Sequence, residues 1–374
     1  MTDTTDKTPD TGQKNIAVKE AGQKAVADPQ PLLDVKNLSV TFSKRKGESF
    51  TAVDGVDFDV RPGEVVGIVG ESGSGKSVTS MAVMGLLPRR GVTIEGEARF
   101  DGTDLLTMPK QELTRLRGGD LAMVFQDPMS SLNPVVTIGK QMTEVLHAHR
   151  TISAKDARDE AIDLLRRCGI PDPARRFGEY PHQLSGGMRQ RALIAIALAC
   201  QPRLLICDEP TTALDVTIQA QVLELLTELV RDMGTAMIMI THDLGVVAGL
   251  CDHVNVMYAG RIVEYAPREA LFASPRHRYT HGLIDSIPRL DQRRDQRLTP
   301  IPGTPADTVP WSRACAFAPR CRHVTDACVT DAIPLEEVGV EHRARCVNPA
   351  SDAENSTQTS QVMASGQMAQ EESE

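Results

Sequence analysis

The stretch that most constrains the fold is Gly70-Glu71-Ser72-Gly73-Ser74-Gly75-Lys76-Ser77. It has the form G-x-x-x-x-G-K-[ST], lies directly after the apolar run Val65–Val69, and leads into a helical pattern through Met84. A short run of β-branched residues bounded by such a loop reads as a strand buried on both faces of a parallel sheet. The glycines allow backbone angles and close approaches that other residues resist. Their N–H groups and the helix N-terminus then face an anion. In this pattern Lys76 reaches the β- and γ-phosphates of a nucleotide and the Ser77 hydroxyl ligates Mg²⁺. A loop that merely joined strand to helix would have no use for Lys76-Ser77. The sequence therefore predicts an α/β fold with a nucleotide at the carboxyl edge of its sheet.

A second stretch, residues 184–215, reads LSGGMRQRALIAIALACQPRLLICDEPTTALD. Leu184-Ser185-Gly186-Gly187-Met188 opens a helix that runs through Leu193–Ala199. Leu204–Cys207 is a buried-strand pattern, and Asp208-Glu209 stands at its end, where Pro210 stops the strand. This order resembles the signature motif, Walker B and D-loop of ABC-type ATPases, and with it the fold is identified as a P-loop NTPase of the ABC nucleotide-binding type. The resemblance implies that Asp208 holds Mg²⁺ with Ser77, that Glu209 polarises the attacking water, and that Asp215 is the D-loop aspartate, which also suits it to cap the next helix. It further implies that Gln126, ending the strand pattern Leu121–Phe125, is the Q-loop residue that meets Mg²⁺ and water. His242, after Ala236–Ile240, is then the switch histidine near the γ-phosphate. Phe42, upstream of the phosphate loop, is either the aromatic that stacks on adenine or an ordinary sheet residue. Leu184 to Met188 form a second anion-binding helix start. The family resolves the rivalry of two such starts by pairing chains head to tail, so that each signature loop closes on the partner's ATP.

Residues 1–30 mix Thr, Asp, Lys, Gln and Gly and are expected to be disordered, as is an acidic tail over 349–374. Between them, the nucleotide-binding domain is predicted over 31–272. Its antiparallel β layer starts with Leu33–Val35, Leu38–Phe42, Ala52–Val53 and Val56–Val60, with a hairpin loop at Lys44–Ser49. A helical subdomain occupies about 127–180. There Ser153 with Asp156 gives a capping signal, Ala157, Ala161, Leu164 and Leu165 share a face, and Gly169 and Pro171 stop the helix. Ile218, Val222, Leu225, Leu226, Leu229 and Val230 form a helical stripe ended by Gly234 and read as core.

Residues 273–348 change character, with a Pro-rich run and the segment CAFAPRCRHVTDAC. This extension resembles that of ATPase subunits of oligopeptide and dipeptide importers, whose near relatives import nickel or glutathione. Ala314 departs from the Gly often found there. Of the eight cysteines, Cys168, Cys200, Cys207 and Cys251 sit among apolar neighbours as reduced small hydrophobes. Cys315, Cys321, Cys328 and Cys346 are separated by 5, 6 and 17 residues. That spacing matches neither a tight zinc knuckle nor a ferredoxin run. The resemblance favours a [4Fe–4S] cluster, with zinc or no metal as the alternatives; His323 and His342 are further candidate ligands.

The net charge of −9 argues against nucleic acid as the main partner. No apolar run approaches the roughly 18–20 residues of a membrane span. The polar N-terminus lacks the apolar core of a secretory signal. The expectation is a peripheral ATP hydrolase on the cytoplasmic face of the cell membrane, using ATP and Mg²⁺ to power peptide uptake. Its implied partners are two integral membrane permease subunits, a second ABC ATPase chain, identical or homologous, and an extracytoplasmic peptide-binding protein. The same ATPase could serve nickel, glutathione or another solute. A soluble ABC ATPase acting on ribosomes or DNA is the more distant alternative. One nucleotide domain and no heptad stretch speak against it.

Overall fold

The computed structural model describes residues 30–43, 49–212, 214–287, 300–305, 314–330 and 332–351. The expected tails fall almost wholly outside these residues, as does the hairpin loop at 44–48. Twelve strands are described, numbered here along the chain. The first are β1 (Leu33–Ser43), β2 (Ser49–Val60), β3 (Val65–Val69), β4 (Val92–Phe100), β5 (Thr103–Asp104) and β6 (Leu121–Val124). The rest are β7 (Leu204–Asp208), β8 (Ala236–Thr241), β9 (His253–Tyr258), β10 (Arg261–Pro267), β11 (Glu336–Gly339) and β12 (His342–Ala344). One sheet has the order β2-β1-β4-β5 and is antiparallel; the other runs β11-β12-β10-β9-β3-β8-β7-β6. In the second sheet β9, β3, β8, β7 and β6 are parallel, and β10, β12 and β11 add antiparallel strands at one side.

The parallel strands are apolar at most positions because both faces are covered, and alternation divides them between two cores. Val65, Val69, Leu205, Cys207, Met237 and Met239 face one cluster with most of the helices. Val66, Ile68, Leu204, Ile206, Ile238 and Ile240 face the other, against the antiparallel sheet. On that second face lie α1 (Lys76–Val83) and α2 (Lys110–Leu116). The helical insertion contains α3 (Pro128–Ser131), α4 (Ile138–His149), α5 (Ala154–Arg167) and α6 (Pro173–Arg176), within the range the sequence assigned it. The Ser153 hydroxyl accepts the Asp156 N–H at the start of α5, and Ala157, Ala161, Leu164 and Leu165 are its buried face. Next come α7 (Gly186–Leu198), α8 (Val216–Met233) and α9 (Leu244–Leu250). The α8 stripe packs as core, with Val222, Leu226, Leu229 and Val230 buried and Ile218 and Leu225 lying partly buried against them. Each such side chain removed from water contributes about 1.5–3 kcal/mol.

Two sequence expectations need correction. The first two strand segments are one continuous strand, β1, because Asn37 takes a left-handed turn (φ 49°) and makes a bulge that lets the ladder resume. The Asn37 N–H, freed from the ladder, donates to Asp57 Oδ1 at 2.9 Å. The extension also continues past 348: Ala350 is buried, and its N–H donates to the Arg276 carbonyl at 3.1 Å.

After α10 (Arg268–Ala273), the extension begins with α11 (Arg278–Asp285) and ends with α12 (Ala327–Thr330), β11 and β12. It packs into the helix-covered core through Tyr279, Phe317, Cys315 and Cys328. The fully buried Glu264 carboxylate on β10 ties it down, accepting from the Arg276 N–H at 2.6 Å, the His277 N–H at 2.9 Å and His342 Nε2 at 2.7 Å. Among the described residues no helix is long and apolar enough to cross a membrane.

Candidate active site

The register of the parallel strands brings the sequence-predicted residues to one edge. Val69 pairs with Thr241, Asp208 with Ile240 and Val124 with Cys207. The loops after β3, β6, β7 and β8 therefore open side by side, where a parallel sheet holds its ligand. They surround a cleft of about 930 Å³ lined by Phe42, Glu71 to Gly73, Gly75 to Ser77, Gln126, Glu209 and His242.

The phosphate loop is shaped by backbone constraints. Gly70 has φ 155°, and a Cβ there would lie 2.2 Å from the Met257 carbonyl oxygen. Gly75 has φ 107°, with the Ala52 carbonyl 2.6 Å from an added Cβ. The Ser74 carbonyl accepts the Gly260 N–H at 2.9 Å, which pins the loop to the β9–β10 turn. The Lys76 ammonium is buried and donates to the carbonyls of Gly70 at 2.7 Å and Glu71 at 2.9 Å, so the loop curls around its own cation. Burial lowers its pKa, while Glu209, Asp208 and Glu71 push it back up.

Ser77 Oγ donates to Asp208 Oδ1 at 2.9 Å. Burial raises the Asp208 pKa against the lowering effect of that hydrogen bond. A hydroxyl and a carboxylate side by side at the loop's edge are the oxygen ligands Mg²⁺ takes. Both are hard donors and Asp208 is buried, so the pair fits the ion.

Glu209 follows with φ 48°, a left-handed conformation uncommon for this residue type, and its N–H donates to the Ile240 carbonyl at 2.9 Å. Three groups meet its carboxylate: Gln126 Nε2 at 3.1 Å, the Thr212 hydroxyl at 2.9 Å and His242 Nδ1 at 3.3 Å. A carboxylate oriented this way at the rim of an anion cleft can accept a proton from water.

The signature residues do not join this cleft. Leu184 is buried, Ser185 caps α7 by accepting the Met188 N–H at 3.3 Å, and none of Leu184, Ser185, Gly186, Gly187 or Met188 lines the cleft. Asp215 caps α8, accepting the Ile218 N–H at 3.0 Å.

Sequence reasoning missed part of the wall. Phe50 pairs with Phe42 across the β1–β2 hairpin and lines the same cleft. Leu283, Ser286, Pro300, Ile301 and Pro305 of the extension also line it. Tyr279 and Arg320 reach the phosphate loop from behind, at Glu71. No motif marks these residues; only the docking of the extension brings them near.

The four late cysteines lie within one another's electrostatic reach. The Cys315 thiol is pushed up to about 12, first by burial and further by Cys346, Cys328 and Cys321. Burial also raises Cys321 and Cys346. Among the described residues, however, no group of three or more His, Cys, Asp or Glu side chains is assembled as a metal site. His342 is committed to Glu264 and so is withdrawn from the candidate ligands. The earlier cysteines behave as expected: Cys168, Cys207 and Cys251 are fully buried and Cys200 partly so.

Comparison with known proteins agrees with this geometry. The ABC transporter family model matches residues 53–212, and the model for the oligopeptide/dipeptide transporter C-terminal region matches 263–328. The oligopeptide transport ATP-binding protein OppD of Salmonella typhimurium is 49% identical over 331 residues, covering 88% of this chain and 98% of that protein. OppD of Haemophilus influenzae is 52% identical over 298 residues, covering 80% and 91%. Among solved structures, the dimeric ATP-binding cassette MJ0796 bound to ADP and Pi superposes with TM-score 0.57 at 28% identity, covering 63% of this chain and 98% of that one.

Proposed function

Because this chain belongs to the ABC transporter family, with the C-terminal region of the oligopeptide/dipeptide transporters, we propose that it hydrolyses ATP to drive uptake of di- or oligopeptides across the cytoplasmic membrane. The observation that carries the catalytic half is the Glu209 carboxylate, gripped by Gln126, His242 and Thr212 at the mouth of a cleft floored by the phosphate loop. The match of residues 263–328 and the identity with OppD chains carry the peptide half.

In this reading Phe42 stacks on the adenine, and the loop from Gly70 through Glu71, Ser72, Gly73, Ser74 and Gly75 to Ser77 wraps the phosphates. Lys76 faces the β- and γ-phosphates. Ser77 and Asp208 hold Mg²⁺ together with Gln126, and the ion when bound offsets phosphate charge. Glu209 takes the proton of the attacking water, His242 aligns that water and the γ-phosphate, and Gln126 senses both. The signature residues Leu184 to Met188 of one chain close on the nucleotide of another, with Asp215 at the joint. The partners are two permease subunits, a second ATPase chain and an extracytoplasmic binding protein, and the chain sits peripherally on the cytoplasmic face.

The four cysteines are assigned to a [4Fe–4S] cluster in preference to zinc. Four soft donors within each other's field support it, since thiolates select such centres. Protein purified without oxygen and found colourless and iron-free would overturn the assignment; bound zinc in its place would replace it.

The main experiment joins the chain to its permeases and binding protein in vesicles. Glu209→Gln should keep ATP binding and lower turnover by about 10²–10⁴. Peptide-loaded binding protein should stimulate the wild type. Normal turnover in Glu209→Gln would sink the base assignment, and stimulation by nickel or glutathione instead of peptide would change the cargo.

A further inference from the structure

We propose that the C-terminal extension completes the nucleotide site in cis, with Arg320 acting as the positioning residue that cancels the charge of Glu71 inside the phosphate-binding loop. The proposal rests on the ATPase reading above and adds a residue to it that lies nearly 250 positions from the loop in sequence.

The argument begins with an electrostatic difficulty. A loop that holds a polyanion carries a carboxylate, Glu71, directly after its first glycine. Its negative charge opposes the ligand, and the nearby Lys76 attracts it without a hydrogen bond to its carboxylate. The Lys76 ammonium donates to the carbonyls of Gly70 and Glu71, on the main chain. Asp208 and Glu209 stand close enough to Lys76 to raise its pKa, so the site already has more acid than base among its own motifs.

The extension supplies the missing cation. Arg320 Nη1 meets Glu71 Oε2 at 2.6 Å and Nη2 meets Oε1 at 3.0 Å, a two-pronged pair of the strong, directional kind. The Arg320 side chain is only 2% exposed and that of Glu71 25%. Its position is fixed on every side: Nε donates to the Pro302 carbonyl at 2.9 Å, Nη1 also donates to the Tyr258 hydroxyl at 3.3 Å, and the guanidinium lies over the rings of Tyr258 and Phe317. The same extension holds the other end of Glu71, whose N–H donates to the Tyr279 hydroxyl at 2.8 Å. Both the backbone and the carboxylate of this one loop residue are thus held by α11 and by the turn Ala318–Arg320. That turn lies between Cys315 and Cys321, so the segment that bears the cysteines also bears the counter-charge.

A structural anchor and a charge-cancelling residue make different predictions, and a double-mutant cycle on the full chain separates them. Binding of Mg-ATP is measured for Arg320→Gln, Glu71→Gln and the double variant at low and high salt. Arg320→Gln uncovers the carboxylate and should weaken ATP by on the order of tenfold, more at low salt than at high. Glu71→Gln removes the negative charge from the loop, leaves the Arg320 charge behind it unbalanced, and should bind ATP several-fold more tightly. The double variant, having lost both charges, should return to within about threefold of the wild type. A double variant as weak as Arg320→Gln, or a Glu71→Gln that binds more loosely, would overturn the proposal, because an anchor is not rescued by removing what it holds. Should Arg320→Gln fold poorly, Arg320→Lys keeps the charge and should bind ATP within about threefold of the wild type; a loss of about tenfold or more in a folded Arg320→Lys counts against the proposal. A wild type that binds no ATP would instead fail the ATPase reading itself.

Discussion

Glu264→Gln is a sharp test of how the extension is docked, because it changes no shape. The carboxylate accepts from two main-chain N–H groups, those of Arg276 and His277, and from the His342 ring, with no exposed surface. Oε1 serves Arg276 and His342 while Oε2 serves His277. An amide has one oxygen. If it takes the Oε1 place, the NH₂ group faces the His277 N–H. If it takes the Oε2 place, His342 can answer by switching tautomer, but the Arg276 N–H is left facing a donor. Either way one buried N–H loses its acceptor, at about 1–3 kcal/mol, and the surviving contacts lose the strength a charge gives them. The sum is about 2–4 kcal/mol, or roughly a 30- to several-hundred-fold rise in local opening. Hydrogen exchange of the amides from Arg276 to Tyr279 and near His342 reads that rise directly. Exchange unchanged from the wild type, with an unmoved melting temperature, would refute the claim that this carboxylate holds the extension in place.

Three further outcomes are expected. Gly70→Ala must fit a Cβ against the Met257 carbonyl at a backbone angle alanine avoids, and should abolish measurable ATP binding while costing about 2–6 kcal/mol in thermal unfolding. Phe42→Ala should weaken ATP by roughly 2–10-fold but leave inorganic tripolyphosphate binding unchanged, since only the adenine is lost as a partner; an equal deficit for tripolyphosphate would remove Phe42 from the base contact. His277, fully buried, has its pKa brought down to about 4 by burial. The folded state then binds fewer protons than the unfolded one, so stability is lost as pH falls from about 6.5 toward 4, by up to about 3 kcal/mol. His277→Asn can still cap α11 and should remove that slope, as urea unfolding at several pH values would show.

The strand edge that bears the candidate site was legible because each of its parts is local in sequence. A strand, a turn and a functional residue occur together at Val69–Gly70, Val124–Gln126, Asp208–Glu209 and Thr241–His242, and the parallel register then sets the four ends side by side. Buried-strand runs and helix caps such as Ser153 and Asp215 were readable for the same reason. What escaped was everything that depends on distant docking. Tyr279 and Arg320 look like ordinary residues in their own neighbourhoods; their importance appears only when the fold carries them to Glu71. Glu264 reads as a polar residue on a closing strand, yet it is fully buried, because the partners that satisfy it come from later in the chain. The break expected in the first strand failed for a different reason: a single left-handed Asn37 bridges two apolar runs that alternation alone separates.

The geometry also favours a catalyst completed by a second chain. Glu209 is oriented by three neighbours, but the His242 side chain beside it is 56% exposed and Gln126 is exposed as well. Hydrolysis by a carboxylate base gains from a site closed to bulk water, where fixed dipoles act at low dielectric. Among the described residues, nothing in the loops after β3, β6, β7 and β8 lies over His242 and Gln126. The residues able to offer a second set of anion-facing N–H groups, those that open α7, are on the same chain but outside its cleft. Next to them, at the start of α8, Val216 is 83% exposed, an apolar side chain that a covering surface would shelter. An open acid cleft, a separate helix start suited to phosphate and an uncovered apolar residue beside it are complementary halves. Two chains turned head to tail would satisfy all three at once.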